Sequence, residues 1–491
     1  MASKTEDERL LPEKEDVTAV NIINENRYSL AGQVNRGRFY ISLTLVLLVF
    51  KGCEGMAMAT LKQFVYAWCE NNTVPSTEAL NESREDLNTT DCVSGETEAQ
   101  KLASSWELYL NLLIAFFTYF SLSIFGTLSD YLGRKTFLCI AIAGFAVRCL
   151  VISVVIYYGL HIAWVLLANA VDGICGSNYM ISLMTYTCTA DMTHRAHERV
   201  FALTVMETVI GVGKLTTEFG NGYFIHRFGF LYPMLTAAFG CIVGFCIAIT
   251  FFQDTYKRSE HKHREESRLP SIKQLCKNYI GFYVRDGSSQ ERESFLLCML
   301  IFFMNEFTIQ GRSNALTLFQ LSSPFCWSSE VLGWYSAAYI AVTMVAGCLV
   351  LKIFQQCFSD PVIACIGLLS GIGFLVVTGL ASDTLEAFLA LAVGIMSILP
   401  KSILRGIASS RASESLQGSL FAGLESSEMV CSVVAGPAGL SIYAATLNNA
   451  RGLVFYVLAG VNGLALVCMI YLTRHLKKYS ADLNYSTLQT T

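Results

Sequence analysis

The stretch GTLSDYLGRK, residues 126–135, begins at the end of one long apolar segment, 106–129, and leads into another, 136–158. It contains two glycines, one acidic residue and two adjacent basic residues. About 20 apolar residues are enough for a helix to cross a lipid bilayer. The stretch is therefore predicted to be a short connection between two membrane-spanning helices.

The residues of this connection suit tightly packed helices. Gly126 allows neighbouring helices to approach closely, and Gly133 supplies a tight turn. Asp130 can meet a helix end or a basic partner. Arg134 and Lys135 are expected to hold the loop at the inner membrane surface, because positive residues near membrane spans prefer the cytosol.

Apolar segments of similar length recur along the whole chain. Of its 491 residues, 53% are hydrophobic and only 15% are charged, which is more apolar side chain than soluble domains can bury. We therefore predict an all-α membrane protein in the lipid bilayer, with twelve transmembrane helices in two six-helix halves. The predicted spans are 39–65, 106–129, 136–158, 162–187, 200–222, 230–252, 294–320, 331–354, 361–381, 385–404, 419–445 and 453–472.

Polar segments divide the chain into five regions. Residues 1–38 are predicted to form a cytosolic tail without a cleaved signal peptide, and residues 39–252 the first six-helix half. A charged cytosolic linker is predicted at 253–293, followed by the second half at 294–472 and a cytosolic tail at 473–491. A Ser-Asp dipeptide follows both the second and the eighth span, which is faint evidence for an internal repeat.

The loop at 66–105 is predicted to lie outside the cytosol. It is rich in acidic residues, whereas basic residues cluster at the opposite ends of the spans. It contains three glycosylation patterns, at Asn71, Asn81 and Asn88. Three acceptors in one large outer loop predict a glycoprotein.

Most of the 17 cysteines lie within predicted spans, where a thiol packs as a small apolar group. Cys69, Cys92 and Cys326 fall on the outer, oxidising side instead. Three cysteines on the outer side predict one disulfide and one remaining thiol.

Several classes of function are excluded by the sequence. The net charge of -4 comes without a basic patch interleaved with aromatic residues, so nucleic acid is not a predicted partner. There is no glycine-rich phosphate loop, no zinc-ligand spacing and no soluble catalytic constellation. The chain is therefore predicted not to be an enzyme and to need no cofactor or metal.

The stretch 126–135 resembles the signature loop of the major facilitator superfamily. Three further segments resemble solute carrier family 46, which includes the proton-coupled folate transporter and the thymic stromal cotransporter. They are SWELYLN at 105–111, LTLFQLSSPFCW at 316–327 and IYAATL at 442–447. The resemblance implies the major facilitator fold and a transport function for the chain from about residue 105 to 460.

The resemblance also implies roles for individual residues. Cys326 would form a disulfide with Cys92. Glu207 matches the family glutamate linked to proton coupling, with a purely structural role as the alternative. Arg405 matches the family arginine associated with substrate binding and coupling, although its position beside Lys401 also suits a cytosolic topology charge.

Ionisable side chains within membrane spans are costly unless they meet a partner or a cavity, so each is a candidate functional residue. Lys51 and Glu54, three residues apart in the first span, could neutralise each other or line the central cavity. Lys214–Glu218 and Arg148–Asp172 are expected to be structural pairs. Further candidates for the substrate pathway are Glu306, Arg312, Glu425 and Glu428.

These features predict a secondary active transporter that moves a small organic anion toward the cytosol together with protons. Ile309 occupies the position where the folate transporter has a histidine, the side chain that titrates near neutral pH. This difference argues against folate and against an identical proton mechanism. The alternative hypothesis is a membrane receptor or scaffold that keeps the fold but does not transport.

Both tails contain short patterns typical of sorting signals. Leu10 and Leu11 follow acidic residues as in a dileucine signal, and Tyr485 and Leu488 fit a tyrosine-based pattern. Sorting adaptors are thus possible cytosolic partners. The patterns favour a lysosomal or endosomal membrane over the plasma membrane.

Overall fold

The computed structural model describes residues 36–73, 98–255, 289–322, 324–412, 416–447 and 450–490. The chain in these ranges folds predominantly into helices, and a π-helical segment, Ala341–Ala346, joins two of them within one span. The α-helices are α1 (Arg36–Thr73), α2 (Glu98–Leu132), α3 (Arg134–Tyr158), α4 (Ala163–Ile174), α5 (Ser177–Asp191), α6 (Ala196–Phe228), α7 (Leu231–Phe251), α8 (Ser289–Leu321), α9 (Ser329–Ile340), α10 (Gly347–Phe354), α11 (Asp360–Leu380), α12 (Thr384–Val393), α13 (Leu399–Arg411), α14 (Gln417–Thr446) and α15 (Leu453–Thr490).

Within the described residues, ten helical segments are long and apolar enough to cross a membrane. The predicted spans at 162–187 and 385–404 are each divided into two shorter helices, α4 with α5 and α12 with α13. Gly176 divides the first of them with a φ of 90°, a left-handed conformation that glycine adopts without strain. The ten long and two divided segments are compatible with the predicted twelve spans.

Two helices extend beyond their predicted ends. The first span was predicted to end at residue 65, but α1 continues to Thr73 and includes Asn71. The last helix, α15, continues through the predicted tail to Thr490. Polar residues lengthen these helices because a helix that has formed in the apolar segment propagates at little cost into flanking residues.

Large apolar side chains cover the outer faces of many helices. Phe116, Phe239, Leu349 and Val467, for example, each expose more than half of their surface in the protein alone. Contiguous apolar surface of this kind is unfavourable in water and favourable against lipid tails. The chain is thus a multi-pass membrane protein.

The helices form two groups that pack against each other through several pairs of helices. Helix α1 packs against α6 and α7 in the amino-terminal half (α1–α7), and α8 packs against α14 and α15 in the carboxyl-terminal half (α8–α15). Between the halves, α2 packs on α14 and α6 packs on α13. A Cβ atom added to Gly126 would lie 2.5 Å from the Cβ of Ala422, so the α2–α14 contact requires a residue without a side chain.

Candidate transport site

The connection between α2 and α3 forms a buried ion-pair network at the end of the bundle predicted to be cytosolic. Arg134 has no exposed surface. Its guanidinium lies 2.6 Å from the Asp130 carboxylate and 3.3 Å from that of Asp191. Arg134 thus lies at the predicted cytosolic end with its side chain buried between two carboxylates rather than exposed. Lys135 donates a hydrogen bond to the Ile249 carbonyl.

Asp130 also links the two halves of the protein. Its carboxylate accepts hydrogen bonds from the backbone N–H groups of Gly418, at 2.9 Å, and Ser419, at 3.2 Å. These groups belong to the first turn of α14, where N–H groups lack partners within the helix. Asp130 therefore caps α14 across the interface between the halves.

A related contact occurs after the eighth span, where the Ser-Asp dipeptide recurs. Asp360, at the start of α11, lies 3.0 Å from Nδ1 of His197 in the first turn of α6. The Gln355 amide donates to the same aspartate and to the His197 carbonyl. An aspartate of each half thus meets the start of a helix of the other half.

A third contact joins the two halves at the same end of the helices. The Arg199 guanidinium on α6 donates to the backbone carbonyl of Ser409 on α13, at 3.0 Å, and to its hydroxyl, at 3.2 Å. The three contacts lie at the helix ends predicted to face the cytosol. The structure therefore describes a state in which the halves are joined at that side.

Arg405 occupies the centre of a buried charged cluster next to these contacts. It lies four residues before Ser409 on α13, about 6 Å along the helix axis. Its guanidinium donates to Glu207 on α6, and to Glu425, at 2.6 Å, and Glu428, at 2.7 Å, on α14. Arg405 has no exposed surface, so the alternative of a topology charge at the cytosolic surface is wrong.

Lys401 is the second cation of this cluster, one helical turn before Arg405. Its ammonium lies 2.8 Å from Glu428, 3.5 Å from Glu306 on α8 and 3.9 Å from Glu207. The residues that form the cluster, which we call the Arg405 cluster, are Glu207, Glu306, Lys401, Arg405, Glu425 and Glu428. It joins one helix of the amino-terminal half to three of the other half.

Two aromatic rings enclose the guanidinium at the centre of the cluster. The Arg405 Cζ atom lies 4.1 Å from the ring centroid of Tyr186 and 5.3 Å from that of Phe302. Ring faces attract cations, and here they also exclude water. The sequence did not single out these residues, because an aromatic side chain within a span is usually a packing residue.

A second group of charged residues lies in the amino-terminal half. Lys51 and Glu54 pair at 2.8 Å, and the Lys214 ammonium lies 3.9 Å from the same carboxylate. Asn178 donates a further hydrogen bond to Glu54. The expected partner of Lys214, Glu218, has its side chain outside the described part, whereas Glu54 is the partner that the structure provides.

Two other candidate arginines have separate partners. Arg148 lies 3.1 Å from Asp172, joining α3 to α4. Arg312 lies six residues beyond Glu306 on α8, about 9 Å further outward along the helix. It donates to the Tyr339 hydroxyl, and its Cζ atom lies 4.7 Å from the centroid of the Phe374 ring. Arg312 is therefore not part of the Arg405 cluster.

The remaining predicted sites are described only in part. Cys326 is disulfide-bonded, and Cys69 carries a buried thiol at the end of α1. Asn71 is exposed on the same helix, and Ile309 packs at the edge of the apolar core. Among the described residues, no group of three metal-ligating side chains is close enough to hold an ion. The remaining predicted sites lie outside the residues that the structure describes: Leu10, Leu11, Asn81, Asn88 and Cys92, together with the side chains of Tyr485 and Leu488.

The chain is similar to known transporters. The sequence profile of the Major Facilitator Superfamily matches residues 92–311. The lysosomal proton-coupled steroid conjugate and bile acid symporter SLC46A3 of Gallus gallus is 25% identical over 422 residues, which are 85% of this chain and 90% of that protein. The proton-coupled folate transporter of Rattus norvegicus is 28% identical over 364 residues, 74% of this chain and 78% of that protein.

Solved structures share the fold at low sequence identity. The human organic anion transporter MFSD10 matches with a TM-score of 0.68 and 14% identity, over 89% of this chain and 100% of that one. The proton:xylose symporter XylE matches with a TM-score of 0.62 and 14% identity, over 88% of this chain and 95% of that one.

Two groups of helices that meet around a buried charged cluster form a fold shared with transporters of the major facilitator type. The chain is similar to the major facilitator superfamily in sequence over residues 92–311, and it shares the fold of solved transporters. The resemblance to solute carrier family 46 is confirmed by its relatives, and so is the prediction of a transporter rather than an enzyme.

Proposed function

We propose that this chain is a symporter that moves an organic anion toward the cytosol together with protons, by alternating access. The observation that carries the proposal is the Arg405 cluster. Glu207 comes from the amino-terminal half and its partner Arg405 from the carboxyl-terminal half, so this ion pair crosses the interface that must open and close during transport.

The charge balance of the cluster suits proton binding. Its four carboxyl groups face two cations, so full ionisation would leave two uncompensated negative charges. Uncompensated charge inside a membrane protein is costly. Proton uptake from an acidic outer or luminal compartment removes that cost, and proton release to the cytosol restores it.

Protonation of Glu207 would couple this balance to the movement of the halves. A neutral Glu207 no longer attracts the guanidinium of Arg405, which can then bind a carboxylate or sulfate of the substrate with its planar fork. The same event removes a link between α6 and α13. The neighbouring Arg199–Ser409 contact joins the same two helices, so it would open together with the ion pair.

The basic residues support an anionic substrate. Lys214 has 45% of its side chain exposed, and its ammonium lies 3.9 Å from Glu54, so it is accessible to a soluble anion. The relatives named above act on steroid conjugates, bile acids and folate. Ile309 supplies no titrating group at its position, which favours an organic anion other than folate.

A lysosomal membrane is the proposed location. The relative from Gallus gallus is lysosomal by name, and the two sorting patterns in the tails agree with it. A proton gradient directed from the lumen to the cytosol would drive the proposed symport there.

The test is uptake into proteoliposomes that contain the purified chain, with an imposed pH gradient and a radiolabelled bile acid, steroid sulfate or folate outside. We expect concentrative uptake of at least one anion when the outside is acidic, and its loss when an ionophore collapses the gradient. Accumulation that is unchanged by the ionophore would contradict proton coupling. Binding of an anion without any flux would instead favour the receptor hypothesis.

A further inference from the structure

Glu306 differs from the other carboxylates of the Arg405 cluster. It has no exposed surface, and neither of its carboxylate oxygens takes part in a hydrogen bond. Its contact with a cation is the 3.5 Å approach to the Lys401 ammonium. Glu207, Glu425 and Glu428, by contrast, all accept hydrogen bonds from Arg405.

Both cations near Glu306, Lys401 and Arg405, also contact other carboxylates. Lys401 is closer to Glu428, at 2.8 Å, than to Glu306. Arg405 is shared among three carboxylates. The charged and titratable groups near Glu306 include Lys401 and Arg405 on α13, Glu428 and Cys431 on α14, and Glu207 on α6.

An ionised carboxylate in this position is much more costly than a neutral carboxyl group. A buried charge that lacks hydrogen bonds loses its hydration without replacement, whereas the neutral acid loses far less. The two cations are already committed to three other carboxylates. The neutral, protonated form of Glu306 is therefore the form that fits this closed state.

We propose that Glu306 holds the transported proton while the cytosolic side is closed. This inference rests on the proposed proton symport and assigns its loading site. Glu306 would take up one proton from the outer side, forming an O–H bond on one carboxylate oxygen, and would later release that proton toward the cytosol. No other covalent bond changes.

Lys401 lies between Glu306, the proposed proton site, and Glu207, which pairs with Arg405 across the two halves. Its ammonium lies within 4 Å of both Glu306 and Glu207, at 3.5 and 3.9 Å. When Glu306 is neutral, Lys401 remains with Glu428 and Glu207. When Glu306 loses its proton, the new negative charge attracts Lys401 and weakens its contact with Glu207, so the two carboxylates respond to each other through one lysine.

The test compares Glu306→Gln with Glu306→Asp in proteoliposomes, using whichever of the labelled bile acid, steroid sulfate or folate the wild type concentrates. Glutamine mimics the protonated acid but cannot release a proton. We expect E306Q to lose pH-driven accumulation and to keep exchange of labelled for unlabelled anion at equal pH. We expect E306D to keep pH-driven accumulation. Glu107→Gln, at an exposed surface pair with Lys62, is the matched control and should behave as wild type.

Two results would overturn the inference. One is wild-type accumulation by E306Q. The other is equal loss of accumulation in E306Q and E306D with exchange intact, which would show that the shape of the glutamate matters and not its proton. Wild-type protein that concentrates none of the three anions under a pH gradient would instead contradict the proposed function.

A measurement on the wild-type protein covers the case in which E306Q does not fold. Dicyclohexylcarbodiimide reacts with protonated carboxyl groups in apolar surroundings, and mass spectrometry locates its adducts. We expect labelling of Glu306 that decreases as the pH is raised. Labelling of the other carboxylates of the cluster without labelling of Glu306 would also overturn the inference.

Discussion

Arg405 of the carboxyl-terminal half donates a hydrogen bond to Glu207 of the amino-terminal half, 198 positions away along the chain. Arg405 has no exposed surface, and its guanidinium also pairs with the carboxylates of Glu425 and Glu428. A guanidinium can serve three carboxylates because its five N–H groups point in fixed, different directions. This arrangement makes Arg405 both an anchor within its own half and the link to the other half.

The first prediction concerns the shape of this side chain. Arg405→Lys keeps the positive charge but cannot donate to three carboxylates at once. Hydrogen bonds between charged groups contribute about 1.5–3 kcal/mol each, so the loss of one or more should lower the initial uptake rate by about tenfold or more. The measurement is initial uptake, normalised to the amount of folded protein. Lys62→Arg, at the exposed pair with Glu107, is the control; wild-type rates in R405K would contradict the prediction.

The second prediction concerns the contact between α2 and α14. A methyl group at position 126 would lie 2.5 Å from the Ala422 Cβ atom and 3.1 Å from the Gly418 carbonyl oxygen. Gly126→Ala should therefore separate the two helices and destabilise the closed state by about 1–3 kcal/mol. The readout is the melting temperature of the purified protein in detergent, together with uptake.

The control for this substitution is Gly463→Ala on α15. An added Cβ atom there meets no other atom within 4 Å, so the melting temperature should change little. An equal decrease in melting temperature in both variants would contradict the prediction, because the loss of stability would then not come from the α2–α14 contact.

The third prediction compares the two aspartates that cross the interface. Asp130 is buried with Arg134 and caps α14, so Asp130→Asn leaves a buried guanidinium with fewer charged partners, at a cost of about 1–3 kcal/mol. Asp360 is also buried, but its partner His197 has 58% of its side chain exposed, so solvent screens this contact and it is expected to contribute only about 0–1 kcal/mol. Uptake by D130N should fall much further than uptake by D360N. Equal losses would contradict this difference.

The sequence predicted the fold better than it predicted the site. Apolar length and the 126–135 stretch were enough for the helical membrane architecture, because lipid imposes a simple rule on span length. They were not enough to find the break at Gly176, since a glycine within an apolar segment is also common in continuous membrane helices.

The charged residues were found, but their partners were not. Glu207, Glu306, Arg405 and Glu425 stood out because each is ionisable within a span. Their association depends on how α6, α8, α13 and α14 meet, which local spacing does not encode. Tyr186 had no sequence signal at all, because its position against the Arg405 guanidinium exists only in the folded chain.

The fourth prediction concerns the disulfide. If Cys326 pairs with Cys92 as the family resemblance implies, Cys326→Ser, Cys92→Ser and the double variant should lower the stability equally, by about 2–4 kcal/mol. Cys69→Ser should not share this effect. The measurements are melting temperature and mass spectrometry of unreduced peptides. A double variant that is less stable than either single variant would indicate different pairing.

The most direct test of proton coupling at the Arg405 cluster is to record proton movement during anion transport. Proteoliposomes with a pH-sensitive dye inside receive the transported anion outside, at equal starting pH and with the membrane potential clamped. Wild-type protein is expected to acidify the interior as the anion enters, and Glu207→Gln to show no such acidification. Anion entry into wild-type vesicles without any change in internal pH, or acidification by E207Q equal to that of wild type, would contradict the account.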